Sequence, residues 1–130
     1  MEAVINDRVR YHETDTGGGA GERVFIYWFD AARAAIYRKF DGLISKMSAG
    51  EIAVKTDELY FINEGKNLSY DNRVEIKANF RLDSGAIRFD YLISFENDGT
   101  VIAKGYSVHS LYRNSKRLEE NDLKDLLKKL

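Results

Sequence analysis

Between residues 12 and 22 the chain sets four ionisable side chains, His12, Glu13, Asp15 and Glu22, around the small-residue run Gly17-Gly18-Gly19-Ala20-Gly21. A carboxylate held where an extended segment meets the start of a helix can attack a carbonyl or take a proton from a water. The same position suits a turn or capping aspartate, so both readings of Asp15 stand. Glu22 opens a helical pattern and serves either as a second carboxylate or as an acid at the positive end of the helix dipole. Gly17, Gly18 and Gly21 offer either backbone N–H groups to a ligand oxygen or a flexible turn. No Lys-Ser/Thr follows them, so this is not a nucleotide-binding loop. His12 and His109 are far apart without metal-ligand spacing, and no metal site is expected. Ser107 and Ser110 flank His109 but lack the pattern of a nucleophile elbow. Arg113, Lys116 and Arg117 cluster late in the chain, either to meet phosphate groups or as a solvated loop, and Lys66 has the same two readings.

The composition removes other chemistries. With no cysteine there is no disulfide, no thiolate nucleophile and no Cys-ligated zinc or iron–sulfur site. A hydrolytic reading would therefore do without a thiol and rest on the carboxylates above. The 20 basic and 21 acidic side chains nearly cancel, which leaves no global field to steer nucleic acid or an anionic membrane, and neither is expected as a partner. At 44% hydrophobic over 130 residues, the chain can bury one core, and a single domain over 1–130 is expected. The N-terminal residues include acids where a signal peptide has a basic start. The longest mostly apolar stretch, Val24 to Ile36, is interrupted by Asp30 and Arg33 and falls short of a membrane span. The expectation is a soluble, cytoplasmic protein.

The elements that would hold these residues follow from hydrophobic periodicity. Val9 and Tyr11 alternate with polar neighbours and read as a short strand. Val24, Phe25, Trp28, Ala31, Ala32, Ala35, Ile36 and Phe40 recur at helical spacing, and further apolar residues widen the stripe. Such a helix is expected to be enclosed by protein, ending at Asp41-Gly42. From Arg73 to Asp83 apolar and polar residues alternate without a break, the clearest strand in the chain. Ile87 to Phe95 alternates with Leu92 as its one lapse, and Asn97-Asp98-Gly99 forms a hairpin turn into a third strand, Val101 to Tyr112. Residues 52–62 suggest one long strand broken near Asp57, and leucines from Leu118 to Leu130 a short amphipathic helix. Each good strand has one apolar face, so a single antiparallel sheet must cover something on that side only. The expected fold is α+β, with a sheet wrapped around one long central helix and a short C-terminal helix.

With this layout, the stretch Val9-Arg10-Tyr11-His12-Glu13-Thr14-Asp15-Thr16-Gly17-Gly18 resembles the motif Tyr-x-Asp-Thr-Asp-x-x-Gly of hot-dog-fold acyl-CoA thioesterases of the 4-hydroxybenzoyl-CoA thioesterase type. Phe29-Asp30-Ala31-Ala32-Arg33 resembles the family's Phe-Glu-x-Ala-Arg, and Ser69-Tyr70-Asp71 its Gly-Asp before the alternating strand. The resemblance implies a hot-dog fold and hydrolysis of an acyl-CoA or acyl-carrier-protein thioester. Asp15 would be the catalytic carboxylate and the Glu22 N–H the group that polarises the carbonyl. It implies no cofactor beyond the coenzyme A of the substrate, and a homodimer or homotetramer with active sites at the subunit interface. Arg113 and Lys116 would meet the coenzyme A phosphates, and the first turn of the helix, with Phe25, would line the acyl pocket. The family's Tyr-His stands here as Gly21-Glu22 and its next Tyr as Phe25, so Glu22 occupies the place of the family's histidine. The alternative is a hot-dog or helix-grip protein that binds an acyl or aromatic ligand without turning it over.

Overall fold

The computed structural model describes residues 1–15 and 19–128. Six strands form one antiparallel sheet: β1 (Glu2–Arg8), β2 (Ala53–Asn63), β3 (Arg73–Asp83), β4 (Ala86–Phe95), β5 (Val101–Arg113) and β6 (Lys116–Arg117). Their spatial order is β1-β3-β4-β5-β2, with β6 paired to β5. Helix α1 (Arg23–Tyr37) lies across one face, α2 (Leu43–Ser48) follows it, and α3 (Glu120–Leu126) comes near the end of the chain. The sheet places Ile76, Ala78, Phe89, Ile93 and Leu111 against the buried side of α1, which contributes Phe25, Trp28, Phe29, Ala32 and Ile36. This is the hot-dog arrangement. The alternation from Arg73 to Asp83 becomes β3, whose buried residues are Val74, Ile76 and Ala78.

Three expectations change. The first strand lies earlier than Val9 to Tyr11: Glu2–Arg8 pairs with β3, and Tyr11–Glu13 is a single 3-10 turn. Val9 is instead a fully buried anchor, its backbone exchanging hydrogen bonds with Asn72 (2.9 Å) and Asp71 (2.8 Å). Residues Gly42 to Ser48 add a helix that carries too short an apolar pattern to be seen, entered through Gly42 in the left-handed region (φ 72°). Helix α1 is also covered on one side only. Ile26 and Tyr27 are 42% and 58% exposed, so the wide stripe is not enclosed within one chain.

The break near Asp57 is a β-bulge: β2 runs unbroken from Ala53 to Asn63, and its register against β5 shifts between Thr56 and Glu58. Past the bulge the two strands approach closely opposite Gly105. A Cβ there would stand 2.2 Å from the Tyr60 carbonyl oxygen and 2.7 Å from the Phe61 Cβ. The glycine lets β2 lean inward, so that the Phe61 ring packs edge-on against Phe25 (5.9 Å) and Phe29 (5.8 Å). Gly105→Ala is expected to push β2 off the helix, costing about 2–3 kcal/mol and lowering Tm by about 10 °C. Thermal denaturation followed by circular dichroism measures it.

Candidate active site

The chain from Val9 to Glu22 is tied down at both ends of its glycine-rich loop. Ala20 donates its N–H to the Leu68 carbonyl (2.8 Å), Gly19 bridges Ser69, and Thr14 bridges Ala20. The Asp15 N–H meets the Gly19 carbonyl at 2.8 Å, and the Gly19 N–H donates to Asp15 Oδ1 at 3.2 Å. The side chain is thereby oriented by its own loop. Neighbouring Glu13 is used differently: it accepts from the Arg10 N–H at 2.7 Å and sits 3.9 Å from the Arg10 guanidinium.

Helix α1 starts beside Asp15. Val24 and Phe25 donate their N–H groups to the carbonyls of Gly21 (3.3 Å) and Glu22 (3.0 Å). Among the described residues, the N–H groups of Glu22 and Arg23 donate to no backbone carbonyl, as expected for a first helical turn. Glu22 makes no side-chain cap on its own helix. Between the loop and this helix start lies a cavity of about 430 Å³ lined by His12, Glu13, Thr14, Asp15, Gly21, Glu22, Arg23, Val24 and Tyr27. A carboxylate and a helix N-terminus facing one cavity are the two parts needed to attack a carbonyl and to stabilise the oxyanion that results.

Of the residues singled out from sequence, Asp15, Gly21 and Glu22 therefore share one cavity. Gly17 and Gly18 lie outside the described residues. Phe25 points the other way, 2% exposed against Trp28 and Phe61, and Val24 takes its place in the lining. Arg113 and Lys116 sit across from each other on β5 and β6, at the end of β5 opposite Ala103, whose partner Asn63 touches Glu22. There Arg113 lines a separate hollow with Asp41, Lys46, Asp122 and Asp125. One chain does not bring them to Asp15. Arg23 and Tyr27, one turn apart on the exposed side of α1, were not singled out from sequence; their i, i+4 spacing behind Glu22 is the signal that marks them.

His109, Ser107 and Ser110 are buried and none lines the cavity. Ser107 and His109 belong to a polar chain beneath α1, whereas Ser110 donates to Asp57. Arg33 reaches in from the helix, one nitrogen on Asp30 Oδ1 (2.8 Å) and another on the Tyr91 hydroxyl (2.9 Å). Tyr91 meets Ser107 Oγ at 2.5 Å, Ser107 meets His109 Nε2 at 2.7 Å, and His109 Nδ1 meets Thr56 Oγ1 at 3.1 Å. A guanidinium only donates, so the Tyr91 hydroxyl accepts from Arg33; beyond it each hydroxyl can donate or accept, and either neutral tautomer of His109 completes the chain. Burial and then the Arg33 charge hold the histidine's pKa down, from 6.5 to about 4.

No protein-family model matches the sequence, and no curated protein matches it. Solved structures do. A hypothetical protein from Aquifex aeolicus is 26% identical, with 97% of this chain and 99% of that chain covered and a TM-score of 0.82. A 1,4-dihydroxy-2-naphthoyl-CoA thioesterase from Synechocystis is 14% identical over 98% and 96% of the two chains, with a TM-score of 0.83. A DHNA-CoA thioesterase from Staphylococcus aureus is 20% identical over 95% and 82%, with a TM-score of 0.80. The chain has the hot-dog fold, and it shares that fold with structures of acyl-CoA thioesterases. No helix among the described residues is long and apolar enough to cross a membrane.

The buried histidine gives a stability prediction. A His whose folded pKa is depressed binds its proton first in the unfolded chain, so stability is complete above pH 6.5 and is lost as pH falls toward 4. The loss is about 3 kcal/mol across that window. His109→Gln is expected to flatten this part of the pH–stability curve, read by urea unfolding at pH 7, 5.5 and 4.

Proposed function

We propose that this protein hydrolyses an acyl thioester of coenzyme A or of a carrier protein, with Asp15 as its catalytic carboxylate. The observation that carries the reading is the shared cavity, which Asp15 lines together with the first turn of α1, residues Glu22 to Val24. A thioester carbonyl seated there points its oxygen at the Glu22 and Arg23 N–H groups. Asp15 attacks the carbonyl carbon directly or takes the proton of the water that does. Where water attacks, collapse of the tetrahedral intermediate breaks the C–S bond and the thiolate leaves with the proton that Asp15 took. Where Asp15 attacks, the thiolate leaves an acyl-aspartate, and a water then cleaves it, its oxygen going to the acyl carbon and its proton to the thiolate, which restores the carboxylate. Glu22, in the position of the family's histidine, orients the water or the substrate. Val24 and Tyr27 offer the acyl group an apolar wall.

The fold likeness to structures named as acyl-CoA thioesterases supports the same reaction class. The reading also includes a homodimer. The edge strand β2 is exposed along nearly its whole length, with Val54, Leu59, Tyr60 and Ile62 each 39–52% exposed, and Ile26 and Tyr27 lie uncovered on α1. A second copy pairing along this edge buries both sets.

Asp15→Asn keeps the side-chain volume and removes the base. It is expected to lower kcat by about 10²–10⁴-fold with Tm unchanged. The assay is hydrolysis of acetyl-, octanoyl- and benzoyl-CoA and of an octanoyl carrier protein, and undiminished turnover by the variant would exclude Asp15. Sedimentation should give twice the chain mass, and Leu59→Lys on the open edge should shift the protein to monomer. A parent chain that sediments as a monomer excludes the dimer.

A further inference from the structure

We propose that Asn63 is a positioning residue for Glu22: its side-chain amide holds the Glu22 carboxylate beside the cavity that Asp15 lines, where it orients the water or the substrate. The inference rests on the thioesterase reading above and deepens it.

Asn63 is the last residue of β2, paired with Ala103 of β5. The next residue donates its N–H to the Ile102 carbonyl at 2.9 Å, which fastens the end of the strand. Asn63 Oδ1 accepts the Gly65 N–H at 2.8 Å, an Asx turn that the left-handed Gly65 (φ 74°) permits. With the oxygen so used, the orientation of the amide is settled, and Nδ2 faces Glu22 Oε1 at 3.3 Å. Glu22 has helical dihedrals (φ -63°, ψ -21°) and its side chain caps no N–H of its own helix. Its carboxylate is met from the sheet instead, by Asn63, beside the cavity that Glu22 lines. Two ends of the fold, strand β2 and helix α1, are tied at the point where the chemistry is proposed.

The contact is read directly by nuclear magnetic resonance. The Asn63 side-chain amide signals should differ between the parent and Glu22→Gln, and the amide protons should be more protected from exchange in the parent; signals indifferent to Glu22 overturn the proposal. Its role is read by a double-mutant cycle with the fastest thioester of the four named above. Asn63→Ala and the isosteric non-donor Asn63→Asp should each lower kcat about tenfold with KM within about twofold and Tm at the parent value. Added to Glu22→Gln, neither should cost anything more. Hydrolysis in which the two losses multiply overturns the positioning role and leaves the thioesterase reading intact. No hydrolysis of any of the four thioesters overturns that reading, and Asn63's role falls with it.

Discussion

Helix α1 has one side it must bury, and that constraint decides where everything else stands. Phe25, Trp28, Phe29 and Ile36 are all 2% exposed or less. Removing four such side chains from water is worth about 6–12 kcal/mol before entropy is counted. Only the concave face of the sheet offers enough apolar area to take them, so the helix cannot be displaced along its axis without leaving rings unpacked. Its first turn then arrives at a fixed place, against the loop that Val9 and Ala20 pin to residues 68–72. The meeting of Asp15 with the helix start is a product of core packing.

Apolar packing sets a distance better than it sets an angle, and a helix resting on rings can still rotate a little. The polar chain from Arg33 to Thr56 supplies the missing direction. It ties the helix to β4, β5 and β2 through an unbroken run of hydrogen bonds that starts at the guanidinium. Such a chain is costly to bury unless every member is satisfied, and from Arg33 to His109 each group has its partner. Tyr91 takes part twice, by its hydroxyl and by its ring, which stacks on Phe29 with centroids 4.4 Å apart. The same residues thus serve the core and the angular setting of the helix that begins at the cavity.

How much of this was legible in the sequence depended on how local its cause was. The strands Arg73–Asp83, Ala86–Phe95 and Val101–Arg113 are announced by alternation, because each has one buried face and its turn residues beside it. The break at Asp57 showed as a lapse in that pattern and proved to be a bulge. The first strand was misplaced because Val9 is buried through backbone bonds to a distant loop, a reason its neighbours do not show. Asp15 and Glu22 came from a local motif. The pairing of Asn63 with Glu22, 41 positions apart, depends on how a strand end meets a helix start and leaves no trace in spacing. Arg113 and Lys116 are close to the site only in the sense that both carry charge; the length of β5 separates them from it.

The bulge on β2 bears on which chains can join this one. A strand at the edge of a sheet exposes a row of unused N–H and C=O groups that any extended polypeptide can extend. Here the row is interrupted at Asp57, whose carboxylate accepts from Ser110, and Lys55 and Glu58 set charges on either side of it. An incoming strand with ordinary spacing runs out of register on reaching that point. The irregularity therefore discourages the open-ended strand-by-strand stacking from which fibres grow.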